Sequence, residues 1–137
     1  MFAFRKAPYS DKLGVRDGRL APCPSTPNCV SSQATDHEHA IEPFIYVTSL
    51  VEAKARLKRL LDGRPRTRLV AETDTYLHYE FTTRFWRFVD DAEFYFDDAA
   101  KCVHLRSAAR VGRSDCGVNR KRIEKIRARF IAARKPS

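Results

Sequence analysis

Between residues 106 and 120 the chain reads Arg-Ser-Ala-Ala-Arg-Val-Gly-Arg-Ser-Asp-Cys-Gly-Val-Asn-Arg, with four arginines, two serines and two glycines. Guanidinium forks, hydroxyls and the free N–H groups of a helix start can converge on one oxyanion. Arg106, Ser107, Arg110, Arg113, Asp115, Asn119 and Arg120 are therefore the expected ligand-binding residues, and phosphate, sulfate or carboxylate would suit them. No Walker loop is present, because neither Gly112 nor Gly117 is followed by Lys-Ser or Lys-Thr. The competing reading pairs these arginines with Asp90, Asp91, Glu93 and Asp97 inside the fold, which would lock a loop rather than hold a ligand. Clustered carboxylates can hold Mg²⁺ or Ca²⁺, but beside so many arginines they serve more often as counter-ions, so no metal is expected there.

Cys23 and Cys29 enclose Pro-Ser-Thr-Pro-Asn, with Asn28 last, a longer spacing than the roughly two to four residues of a zinc knuckle. His37 and His39 follow. Two thiols are the expectation, with a disulfide and a Cys-Cys-His-His zinc site as alternatives. Cys102 reads as a core strand residue, and Cys116 as the thiol whose arginine neighbours give it reactive character. For acid/base chemistry His78 and Glu80 share one strand face, and His104 shares another with Cys102 and Arg106. The spacing brings no nucleophile, base and orienting acid together. No catalytic residue and no cofactor follow.

Charge narrows the class of partner. The 137 residues carry a net charge of +9, yet residues 101–137 hold twelve Lys and Arg against Asp115 and Glu124, so the whole excess is C-terminal. An anionic partner is expected to meet that end. Nucleic acid is not the expected one: Tyr79, Phe81, Trp86, Phe88, Phe94, Tyr95 and Phe96 fall in strands whose alternation assigns most of them to a core, leaving few for base stacking. With 43% apolar residues the chain reads as globular, and it has no apolar run near the roughly 18 residues that a membrane span needs. Met1 to Lys6 lacks the apolar region of a secretory signal, so a cytoplasmic location is expected, with peripheral membrane contact allowed.

The elements that must position these residues are legible in outline. Residues 1–42 lack periodicity and are rich in proline, which reads as a long irregular arm. Phe44 to Thr48 suits a half-buried strand. Ser49 then caps a helix with Leu50, Ala53, Leu57, Leu60 and Leu61 on one face and Gly63 as its stop. Strands follow at 67–72, 76–83, 85–89 with 93–96, and 101–107. A last helix has Asn119 as its N-cap and Ile123, Ile126, Phe130 and Ala133 as its apolar stripe. The expected architecture is one α+β domain over 1–137: an antiparallel sheet of about five strands, two amphipathic helices packed on one face, the arm over 1–42 and the body over 43–134.

Three blocks, Leu20 to Ser32, Phe88 to Phe94 and Arg106 to Arg120, make the chain resemble the family known as domain of unknown function 1499. They frame roughly residues 13 to 130 and are long and specific. The family brings no assigned activity. Its motif positions fall here on Cys23, Pro24, Pro27, Asn28, Cys29, Ser31, Ser32, Asp90, Asp91, Glu93, Arg106, Ser107, Arg110, Gly112, Asp115, Gly117, Asn119 and Arg120. Many relatives resemble exported or membrane-anchored proteins, whereas this sequence shows no anchor. Ala109 and Cys116 stand where the family pattern leads one to expect a serine and an apolar or aromatic residue. The expectation for function is a non-enzymatic binding domain that meets an anionic small molecule, a lipid surface or a protein partner through the arginine-rich loop. The alternatives are a hydrolase or transferase, with Asp90 or Asp91 as base and Arg106 or Arg110 stabilising an anion, and a non-specific nucleic-acid binder.

Overall fold

A computed structural model describes residues 13–85, 87–112 and 117–133, so the expectations placed on Trp86, Arg113, Asp115 and Cys116 lie outside the described residues. The element order is β1 (Cys29–Ser31), β2 (Phe44–Ile45), α1 (Leu50–Asp62), β3 (Thr67–Thr73), β4 (Tyr76–Thr82), β5 (Val89–Asp97), β6 (Cys102–Ala109) and α2 (Val118–Ala133). Six strands form one antiparallel sheet in the order β1-β6-β5-β4-β3, with β2 also on β6, giving an α+β fold.

Local chemistry explains most of these boundaries. The Ser49 hydroxyl accepts from the backbone N–H of Glu52 and so starts α1, while the N–H of Gly63 returns to the Arg59 carbonyl and ends it. Ala53, Leu57 and Leu61 recur at helical spacing and are buried. A turn then reverses the chain, with Arg66 in the left-handed region at φ 54°. Its carbonyl accepts from Thr82 N–H, which fixes the start of β3 beside the end of β4.

Period-two alternation sorts the strands. Leu77, Tyr79 and Phe81 of β4, Phe94 and Phe96 of β5, and Val103 and Leu105 of β6 share one buried cluster with the α1 residues and with Ile123, Ile126 and Phe130 of α2. Phe44 stacks on Phe130 within it, ring centroids 5.6 Å apart. The intervening positions carry the polar groups, among them His78, Glu80, Asp91, Glu93 and Arg106.

Four expectations need correction. The strand expected over 44–48 stops at Ile45, because only Phe44 and Ile45 pair with β6 before Tyr46 turns into the core. The acidic block is no turn: Asp90, Asp91 and Glu93 lie inside the continuous strand β5, tolerated there because each carboxylate meets an arginine. Phe85 and Phe88, placed by alternation in a strand, instead belong to the β4–β5 connection and are exposed. Asn119 does not cap α2, which begins at Val118. It lies fully buried in the first turn, where its side chain accepts from the Ser107 hydroxyl and from Arg122.

Candidate functional site

The buried charges form a connected network on β4, β5 and β6. Register sets Glu80 beside Asp91 and His78 beside Glu93, with Arg106 next across on β6. Arg110, just past β6, donates from Nε to Asp91 Oδ2 at 2.9 Å and from Nη2 to Asp91 Oδ1 at 2.6 Å and Glu80 Oε2 at 2.9 Å. Arg68 takes the other Glu80 oxygen at 2.9 Å, and His78 Nε2 lies 2.8 Å from Asp91 Oδ1. Burial acts to raise the Asp91 pKa, but the bonds from His78 and Arg110 outweigh it and hold the carboxyl below the usual aspartate range. The same hydrogen bond to Asp91 raises Arg110 against its own desolvation. These groups are committed to one another.

Glu93 anchors the arm. Fully buried, it accepts from the backbone N–H of Gly14 and from the Tyr76 hydroxyl, and its other oxygen faces Arg106 Nη1 at 3.8 Å. Burial lowers the Arg106 pKa, opposed by Glu93 and Asp91. Arg106 also reaches the Pro22 carbonyl. Further along, Asn28 donates to the Gly112 carbonyl at 2.7 Å and accepts on its own carbonyl from Ala109 N–H, tying the arm to the end of β6. Cys23 and Cys29 are joined by a disulfide, which corrects the expectation of two thiols: the Pro-containing loop brings their Cα atoms to 5.7 Å, within bridging range. The zinc alternative falls with it. His39 is turned to the Asp36 carboxylate and to the Thr26 carbonyl at 2.8 Å.

Helix α2 holds the arm from its other side. Arg120 donates to the carbonyls of Ala40 and Glu38, and Arg127 to that of Pro43 at 2.8 Å. Arg122 donates to Asp90 at 2.8 Å and lies over the Phe81 ring. Much of the C-terminal positive charge thus has a structural partner.

One end of the sheet is different. The α1–β3 turn, the β4–β5 connection and the start of α2 surround a cavity of about 300 Å³ whose walls include Arg64, Arg66, Arg84 and Arg122, with Thr67 and Thr83 between them. Among the described residues no carboxylate lines it, and no carboxylate pairs with Arg64, Arg66 or Arg84. Arg64 Nε is buried with no hydrogen-bond partner among the described residues. Burial lowers the Arg64 pKa, and the positive charges of Arg122, Arg129 and Arg66 push it the same way. Arg122 has Asp90 as its counter-ion, so the charge left without a carboxylate partner among the described residues is that of Arg64, Arg66 and Arg84, and such crowding of like charges favours a nearby anion.

The structure therefore divides the expected site residues. It brings Asp90, Asp91, Glu93, Arg106 and Arg110 into ion pairs, and Ser107, Asn119 and Arg120 into the junction of β6, α2 and the arm. Asn28, Cys23 and Cys29 shape that junction from the arm. Arg64, Arg66, Arg84 and Arg122 were not foreseen. They come from three separate stretches of sequence, and the only signal is that three of them flank turns that close at one end of a shared sheet.

A six-stranded antiparallel sheet with two helices, carrying its charges in a buried network and an arginine-walled end, defines an α+β chain built around three polar sequence blocks. The chain belongs to the family described as Protein of unknown function (DUF1499), whose family model matches residues 19–130. Comparison with curated proteins and with solved structures finds no match. No helix among the described residues is long and apolar enough to cross a membrane.

Proposed function

We propose that the chain is a non-enzymatic binding domain that takes an anionic ligand at the arginine-rich end of its sheet, where the start of α2 and the β4–β5 connection meet the α1–β3 turn. The observation that carries this is the cavity walled by Arg64, Arg66, Arg84 and Arg122 with no lining carboxylate among the described residues. Planar guanidinium forks suit the geometry of phosphate and carboxylate oxygens. In this reading Arg106 and Arg110 belong to the buried ion-pair network, while Ser107 and Asn119 fix the start of α2, which supplies Val118 and Arg122 to the cavity, and Arg120 ties α2 to the arm. Catalysis by Asp90 or Asp91 fits the geometry less well, since Asp90 is bound by Arg122 and Asp91 by Arg110 and His78. The Cys23–Cys29 disulfide argues for an oxidising compartment over the cytoplasmic one expected from the sequence.

Calorimetric titration with inorganic phosphate at fixed ionic strength tests the reading. Saturable binding is expected, weakened about tenfold or more by Arg64→Ala, the loss of one charge-assisted hydrogen bond, and unchanged by Lys125→Ala on exposed α2 surface. Equal affinity in both variants, or no saturable binding in the wild type, overturns it.

A further inference from the structure

The aromatic residues at the same end have no core to enter. Thr83 N–H donates to the Phe88 carbonyl and Phe88 N–H to the Thr83 hydroxyl, closing the β4–β5 connection into a tight tip. Phe85 on that tip is 81% exposed and Phe88 48% exposed. Val111 and Val118, on the β6–α2 connection and at the start of α2, are exposed as well. Arg84 lies over the Phe85 ring, and Arg87 follows in sequence. A tip of phenylalanines bracketed by arginines, beside a cavity walled by further arginines, is matched to one kind of surface. Aromatic rings settle at the boundary of headgroup and acyl chain, and basic side chains gain from anionic headgroups at the same depth. A nucleic-acid duplex would reward the arginines but, with its bases stacked inside, would leave most of this apolar surface in water.

We propose that the β4–β5 tip docks this end of the protein onto an anionic lipid bilayer, with Phe85 and Phe88 entering the interface and the arginines of the adjoining cavity meeting lipid phosphates. The proposal rests on the anion-binding reading and names its ligand as lipid.

Flotation of the full chain with vesicles of phosphatidylcholine alone, or of phosphatidylcholine mixed with phosphatidylglycerol, gives the test. The wild type is expected to float with the anionic vesicles and to stay behind with the neutral ones. Because both rings are exposed, the variant Phe85→Ser with Phe88→Ser keeps its fold, which its unfolding midpoint verifies. Its partitioning is expected to fall on the order of tenfold for each ring removed from the interface. Arg84→Gln with Arg87→Gln is expected to lose about fivefold per charge. Trp86, the chain's one tryptophan and between the two rings in sequence, is expected to shift its emission to the blue on anionic vesicles alone.

The phosphate titration separates this proposal from the reading beneath it. The serine variant should bind inorganic phosphate as the wild type does. Phosphate binding without flotation overturns the membrane proposal and leaves anion recognition standing, whereas neither phosphate binding nor flotation overturns both. Flotation that the serine variant matches, or duplex DNA bound as tightly as anionic vesicles, would show charge alone at work and would also overturn the membrane proposal.

Discussion

Replacing Asp91 by Ala is expected to lower the unfolding free energy by about 3–5 kcal/mol, the usual cost of breaking a buried ion pair from one side. The carboxylate and the Arg110 side chain are both nearly inaccessible to solvent, so removing Asp91 takes the bidentate partner from a buried guanidinium whose bond to Glu80 is shared with Arg68. His78 loses its hydrogen bond to Asp91 as well. Against a total stability of order 5–15 kcal/mol, such a loss moves a denaturation midpoint plainly. The pH dependence has a definite sign. Because the folded pKa of Asp91 lies below its unfolded value, its contribution is present above about pH 4 and disappears as pH falls through the folded value. Urea midpoints of wild type and Asp91→Ala should therefore differ widely at neutral pH and converge in acid. An unchanged midpoint at neutral pH would mean that the network is no structural element.

Glu93→Ala should cost a similar amount, about 3–5 kcal/mol, and should also release the arm. Glu93 joins three things at once: the Gly14 N–H, the Tyr76 hydroxyl and the charge of Arg106. Its loss leaves Arg106 buried without its nearest carboxylate and Gly14 without its acceptor. Limited trypsin digestion reads the second effect separately from the first. In the wild type Arg16 and Arg19 sit in a segment pinned at Gly14 and again at Leu20, whose N–H donates to Gln33 at 2.8 Å, and cleavage there should be slow. In the variant, cleavage at these two arginines should accelerate before the sheet is cut. Rapid cleavage of the wild type at Arg19 would show that the arm is not held.

How much of this was legible in the sequence depended on the range of the interactions involved. Helix α1 was readable to the residue because its cap, its stripe and its stop are all local: Ser49, then Leu57 and Leu61, then Gly63. Strand β5 was split at Asp90 and Asp91 because two adjacent carboxylates look like a turn. Nothing local shows that Asp90 faces Arg122 of α2 and Asp91 faces Arg110 beyond β6. Asn119 has the chemistry of a cap, yet it is buried against Ser107, a partner supplied by the neighbouring strand. The disulfide depended on whether the loop holding Pro24 and Pro27 closes, which residue spacing leaves open. The cavity was invisible for the same reason on a larger scale: Arg64 and Arg122 meet only after the sheet has brought the end of α1 to the start of α2. The aromatic tip looks like strand in the sequence because apolar residues continue through Phe85 and Phe88 even though pairing does not.

An anion received at the arginine-walled end of the sheet is reported by the arginine side chains themselves. Arg64 and Arg122 both line the cavity, so an oxyanion entering it changes the electrostatic surroundings of both guanidinium groups. Nitrogen-15 correlation spectra of the arginine Nε–H groups, recorded while inorganic phosphate is added at constant ionic strength, measure this directly. Saturable shifts of the Arg64 and Arg122 signals with one common dissociation constant are the predicted result. Arg64 and Arg122 signals that stay fixed while only exposed cations outside the cavity wall, such as Arg59, drift without saturation would contradict it.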